Sequence, residues 1–154
     1  MRAIAALLLM TAAQLCAAES NDEKDVVAAV QKLFDAMASH DSAAARAVIV
    51  PEGRLFSAND DGKVSSRTLE EFAGRLSAIK GQMLERIWSP KVLLRGRIAH
   101  LWAEYDFHFN GKFHHCGVDS VSLVKGADGW KITGIEDTSE TTGCSPSPLG
   151  PPRN

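Results

Sequence analysis

The chain predicts an α+β domain, with three N-terminal helices packed on a strongly curved antiparallel sheet. Three observations carry this expectation. Two stretches before residue 80 repeat their apolar residues at helical spacing, each behind a capping signal. From Met83 onward the period changes to the alternation of strands. In the middle of that alternating region lies Asn110-Gly111, the strongest short signal for a two-residue type I′ hairpin, because both central residues need φ > 0.

The elements follow in order. Ser20 and Glu23 fit a capping box, and Val26, Val27, Val30, Leu33, Phe34 and Met37 then mark a first helix running to about Ser39. His40-Asp41 breaks it, and Asp41 caps a second, short helix from Ser42 to about Val48, ended by Pro51 and Gly53. Arg54 to Asn59 reads as a strand, Asp60-Asp61-Gly62 as a turn and Lys63 to Arg67 as its return. Thr68 and Glu71 form a second capping box. It opens a helix with Leu69, Phe72, Leu76 and Ile79 on one side, which Gly81 stops. Leu84 to Trp88 is a strand bent at Pro90 before Val92 to Leu94. Arg95-Gly96-Arg97 turns into the central hairpin. A last strand runs from Trp130 to about Asp137 after the turn Gly126 to Gly129. Helices gathered on one side of a meander make an α+β domain.

The ends differ from this body. Arg2 followed by the uncharged apolar run Ala3 to Leu15, with small residues at Ala17-Ala18, is the pattern of a secretory signal segment over residues 1–18, too short for a membrane span. Cys16 follows Leu15 rather than the small residue expected before a lipidated cysteine. The domain then covers 19–144, and the proline-rich stretch 145–154 reads as a disordered tail. Cleavage would remove one positive charge and no acid from a chain of net charge −2. A slightly acidic chain has no electrostatic footprint for nucleic acid or for an anionic membrane. Two cysteines, Cys116 and Cys144, would remain. In a periplasmic or secreted protein an even count favours a disulfide over two separate buried thiols.

The candidate site comes from the hairpin register. The turn sets Phe109 opposite Lys112, and counting outward sets Asp106 opposite His115 and Trp102 opposite Asp119. Side chains alternate between faces. Trp102, Glu104, Asp106, His108, Phe113, His115 and Asp119 then share one face. Leu101, Ala103, Tyr105, Phe107, Phe109, Cys116 and Val118 share the other. A ligand pocket is mostly apolar with a few convergent polar groups. The Trp102 face fits that description, with Trp102, Glu104, Phe113 and Val121 as ligand-binding residues. On that assignment Asp106 orients His115 as a base, and Asp119 is a second carboxylate in an apolar setting. The opposite assignment leaves Asp106–His115 as a cross-strand charge pair worth roughly 0.2 to 1 kcal/mol. No metal is expected: consecutive strand residues such as His114, His115 and Cys116 point to opposite faces and cannot converge on one ion without a bulge. The chain carries no Gly-rich phosphate loop, no nucleophile elbow and no helical histidine pair of the zinc-enzyme type.

The segment His115-Cys116-Gly117-Val118-Asp119, followed by Leu123-Val124-Lys125 and Gly129-Trp130-Lys131-Ile132, resembles the nuclear-transport-factor-2-like superfamily, also called SnoaL-like or cone fold. It is close to small exported bacterial members, some of them labelled "putative lumazine-binding". The resemblance covers about residues 22 to 144. It implies a cone closing around a pocket at the concave face of the sheet, with the opposite face often making a dimer. It does not imply one activity, since members include isomerases, cyclases, dehydratases and binding domains. The resulting expectation is an exported homodimer, joined through a sheet face, that binds a small apolar or aromatic molecule without a cofactor. Two alternatives stand beside it. One is a cofactor-independent isomerase, dehydratase or cyclase moving a proton with Asp119 or the Asp106–His115 pair. The other is a structural domain that docks a protein.

Overall fold

A computed structural model describes residues 21–152. The signal segment and the Ser20 cap lie outside the described residues. Helix α1 is helical over 21–38, and its buried stripe is Val26, Val30, Leu33, Phe34 and Met37. Asp41 caps α2 (Ser42–Val48), its Oδ1 accepting from the amides of Ala43 and Ala44 at 2.9 Å each. Strand β1 (Ile49–Asn59) begins directly after α2, earlier than Arg54. Its pairing is irregular between Ile49 and Arg54, where Pro51 has no N–H to give. Then come β2 (Val64–Thr68) and α3 (Leu69–Arg75), the latter opened by the Thr68–Glu71 capping box and closed by a 3-10 turn at Leu76–Ala78. The meander is β3 (Met83–Arg95), β4 (Ile98–Phe109), β5 (Lys112–Gly126) and β6 (Gly129–Ser139).

The six strands form one sheet in the order β2-β1-β6-β5-β4-β3. All neighbours are antiparallel except β1 and β6, which run parallel. That pair joins the two ends of the domain, so no local turn announces it. The core lies between the helices and the inner face, around Leu33, Leu69, Leu76, Leu101, Leu123 and Ile132.

The central turn forms as expected, with Asn110 at φ 52° and Gly111 at φ 72°, and Phe109 pairs with Lys112. The register then slips. His108 pairs with Phe113, but Phe107 pairs with His115, so His114 is an extra residue in β5. A bulge of this kind moves every later side chain to the other face. Asp106 therefore lies opposite Cys116, not His115, and Trp102 lies opposite Ser120, not Asp119. Similar shifts occur between Trp88 and Lys91 against β4, and between Ser122 and Leu123 against β6. Three bulges on long strands bend the sheet around the helices.

Two constraints lock the far end of β5. Cys116 and Cys144 are bonded, with Cα atoms 6.1 Å apart. Gly117 lets the chain end of β6 approach: a Cβ there would lie 2.0 Å from the Thr138 carbonyl oxygen. The same carbonyl accepts the Tyr105 hydroxyl at 2.8 Å. Residues 145–152 contain no helix or strand, and the Gly150 carbonyl accepts from Arg86 at 2.9 Å.

Candidate functional site

A cavity of about 290 Å³ opens between α1, α3 and the inner face of the sheet. Its deep walls are apolar: Val30, Leu33 and Phe34 from α1, Phe72 from α3, and Ile132 and Ile135 from β6. Exposed Asn59 and Ser65 border it at the β1–β2 end, and Arg67 adds a positive charge. Against the apolar walls stand three acids. Glu85 comes from β3, Asp119 from β5 and Asp137 from β6. Tyr105 and His115 complete the polar lining.

The strand pattern explains each placement. Met83, Glu85 and Ile87 share one side of β3, and Ile135 and Asp137 share one side of β6. Both acids thus occupy positions whose neighbours point inward. Asp119 and Asp137 are direct cross-strand partners. Like charges so placed are destabilising. Asp119 is only 3% exposed, and its Oδ2 has no hydrogen-bond partner among the described residues.

Electrostatics follow from this crowding. Burial, then Asp137 opposite it, pushes the Asp119 carboxyl up to about 8. Burial raises Glu85 well above the usual carboxylate range, and the charges of Asp119 and Asp137 add to it. The Glu85 and Asp119 carboxyls both line the cavity and act on each other, and two facing carboxyls are mutually compatible only with a proton on one of them. Asp137 is raised by burial, while the Ser57 hydroxyl, donating at 2.8 Å, and the Arg67 charge pull it back. Burial and the His114 charge lower His115 to about 4. The Nδ1 atoms of His114 and His115 are 2.8 Å apart, so one imidazole must donate and the other accept. The Tyr105 hydroxyl is raised by burial first and the surrounding acids second, and its proton is committed to Thr138.

The expected site residues divide between two faces. Asp119, His115 and Val121 line the cavity; Trp102, Glu104, Phe113 and Asp106 do not. Trp102 is 50% exposed and Phe113 48%, both on the outer face, and Glu104 is exposed there too. The cavity lies on the Tyr105 face, which the helices cover, and the extra residue His114 is why His115, Asp119 and Val121 reach that face while Trp102, Glu104 and Asp106 of β4 do not. Asp106 does not hold His115. It takes part in a second buried cluster on the outer side. Arg86 donates to its two oxygens at 2.8 and 2.5 Å, and His108 Nε2 lies 3.4 Å from Oδ2. Burial acts against ionisation there, yet the Arg86 guanidinium holds Asp106 below its ordinary value.

Sequence reasoning missed Glu85, Asp137 and Arg67 in the cavity, and Arg86 beside Asp106. The signal for the first two was present: an acid two residues from an inward apolar position on the same strand. Among the described residues no group of three or more His, Cys, Asp or Glu side chains is arranged to hold a metal ion.

The sequence pattern of a family described as "Putative lumazine-binding" matches residues 21–134. No curated protein matches the chain. Solved structures do. A Kribbella flavida protein has 15% identity and a TM-score of 0.68, covering 79% of this chain and 92% of its own. A nuclear-transport-factor-2-like superfamily protein from Salmonella enterica serovar Typhimurium has 14% identity and a TM-score of 0.65, covering 82% and 96%. A putative dehydratase of the same family from Streptomyces avermitilis has 16% identity and a TM-score of 0.64, covering 79% and 97%. At these identities the likeness shows the fold, which is the nuclear-transport-factor-2-like cone.

Proposed function

This chain belongs to the "Putative lumazine-binding" family, and we propose that its inner cavity binds a small, flat, mostly apolar molecule that offers hydrogen-bond donors to the carboxyls at its wall. The observation that carries this reading is Asp119: 97% buried, lining an apolar cavity, with an oxygen that no described residue satisfies. Buried polar atoms in folded proteins almost always have partners. A cavity near 290 Å³ stands at the lower end of ligand-site volumes, suited to one or two fused rings. A nitrogen heterocycle of the lumazine kind presents ring N–H groups and flat apolar faces to such a wall. In this reading Asp119 and His115 are contact residues, and Val121 shapes the cavity.

The test is binding itself. Lumazine at a hundred times its dissociation constant should stabilise the protein by about 2.7 kcal/mol, read as a rise in Tm. Val121→Trp, which fills the cavity, should abolish the rise. Native mass spectrometry of protein exported to a bacterial periplasm should also show an added mass that leaves on denaturation. No shift and no added mass would sink the reading.

A second reading is favoured by one specific observation. A carboxyl brought up to about 8 is suited to exchange a proton near neutral pH, and a structural neighbour is described as a putative dehydratase. Proton transfer by Asp119 in a cofactor-independent reaction would give a rate that falls at least a hundredfold in Asp119→Asn.

Export and self-association complete the proposal. The Cys116–Cys144 disulfide supports an oxidising compartment. Leu93, Ile98 and Trp102, exposed on the outer sheet face, support a homodimer through that face, which sedimentation would reveal.

A further inference from the structure

The two faces of the sheet solve the problem of a buried carboxylate differently. On the outer face Asp106 receives two hydrogen bonds from one guanidinium, that of Arg86. On the inner face three acids face the cavity, with Arg67 as the one positively charged side chain among the residues that line it. The charge of Arg67 acts on Asp137, whereas Asp119 and Glu85 act on each other and are both opposed by the charge of Asp137. The Glu85–Asp119 pair is thus an acceptor site, built in an apolar enclosure, with no resident cation. Its unsatisfied atom, Asp119 Oδ2, belongs to a side chain that lines the cavity.

Resting on the ligand-binding reading above, we propose that the cavity is selective for an organic cation, an amidinium or protonated amine on a flat apolar body, which donates to the Glu85–Asp119 carboxyl pair as Arg86 donates to Asp106 on the other face. The apolar walls from α1 and α3 take the body, and the carboxyl pair takes the charged head. Charge-assisted bonds of this fork type are roughly twice as strong as neutral ones and fix orientation. A neutral ligand would gain only neutral hydrogen bonds from the pair, and an anion would meet three acids.

Binding of a cation then carries a proton with it. The pair holds protons in the free protein, and the arriving cation displaces one to solvent, so that a carboxylate faces the amidinium. The other groups facing the pair do not supply that proton. Tyr105 from β4 is raised far out of range and donates to Thr138. His115 from β5 is neutral above about 4. Asp137 from β6 is itself raised by burial, but the Ser57 hydroxyl and the Arg67 charge from β2 both favour its carboxylate. The lining residues of α1 and α3 are apolar.

The experiment is calorimetric titration of the intact protein with three probes of one shape: benzamidine, benzamide and benzoate. Benzamidine, cationic throughout the range, should bind at least about tenfold more tightly than benzamide at pH 7, and benzoate should not bind. Titration in buffers of different ionisation enthalpy should show about one proton released per benzamidine at pH 6, and less as the pH rises through 8. Asp119→Asn should erase the preference for benzamidine over benzamide and the proton release; Glu85→Gln provides the same readout should the first variant fold poorly. Equal or tighter binding of benzamide, or binding of benzoate, overturns the cation inference. If that binding is lost in Val121→Trp, ligand binding in the cavity survives. If neither these probes nor lumazine bind, both readings fall.

Discussion

Glu85 and Arg86 are neighbours in sequence, as are Tyr105 and Asp106, yet each pair is split between opposite faces of one sheet. Outside, Asp106 is 5% exposed and His108 7%, and Arg86 donates both to the two Asp106 oxygens and to the Gly150 carbonyl. Inside, Asp119 is 3% exposed, but it meets Glu85 and Asp137 rather than a cation. The outer cluster pairs its carboxylate with a guanidinium, leaving only His108 Nδ1 without a partner among the described residues, whereas the inner one sets its carboxylate against two further acids. Like-charge contacts between buried carboxyls at one cavity support the proposal of a binding site there. The comparison also separates what stabilises this domain from what it uses.

The largest expected effect breaks the outer cluster. Arg86→Ala leaves Asp106 buried and unpaired, and removal of one partner from a buried ion pair costs about 3–5 kcal/mol. Urea denaturation of the single variant should show that loss. The double variant Arg86→Met, Asp106→Leu should recover most of it, because replacing both charges by apolar groups of similar volume is often neutral. If the single variant costs under about 1 kcal/mol, the outer cluster is solvated and the contrast between the faces fails.

The inner cluster should respond with the opposite sign. The Asp119 carboxyl is raised to about 8 by burial and by Asp137, so the folded chain holds a proton there that the unfolded chain releases near 4. Between those values the folded state binds more protons than the unfolded state. Stability from this group is therefore present below about pH 4 and lost as pH rises toward 8. Asp119→Asn removes that dependence. It should leave stability near pH 4 almost unchanged and raise it at pH 8 by about 2–4 kcal/mol. Chemical denaturation across that window checks both the slope and its loss. A destabilised variant at pH 8 would mean that Asp119 is satisfied in the free protein.

Much of this fold could be read from the chain. The two capping signals that could be compared, Asp41 and Thr68 with Glu71, cap helices where expected, and the Asn110-Gly111 turn fixes the hairpin start. These signals are local, a few residues reading their own backbone. The site was legible only in part, because its geometry depends on counts made along strands. His114 is one residue, flanked by another histidine, and nothing in its neighbourhood distinguishes a bulge from regular alternation. That one insertion carried His115, Asp119 and Val121 to the inner face and left Trp102, Glu104, Asp106 and Phe113 outside. Glu85 and Asp137 entered the site through sheet order, a long-range property. Their inward parity was visible in the sequence, but the convergence of β3, β5 and β6 on one cavity was not.

The smallest effect tests the face assignment itself. Trp102 is a large aromatic side chain, and an unbulged register would make it the wall of the site opposite Asp119. With β5 bulged at His114 it pairs with Ser120 and is half exposed on the outer surface. Truncating it there removes partial packing and opens no cavity in the core, so Trp102→Ala should cost about 1 kcal/mol or less. Ligand affinity should stay within twofold of the parent, whereas Val121→Trp, on the inner face of the same strand pair, should abolish binding. If the outer face joins two copies, Trp102→Ala should instead weaken the dimer at unchanged ligand affinity per chain. A variant that dimerises normally but loses its ligand would place the indole at the pocket and reverse the two faces. That outcome would require β5 to pair without the extra residue. Amide exchange at His114 separates the cases: bulged, its N–H has no ladder partner on β4 and exchanges quickly, while in a regular ladder it would be protected with its neighbours.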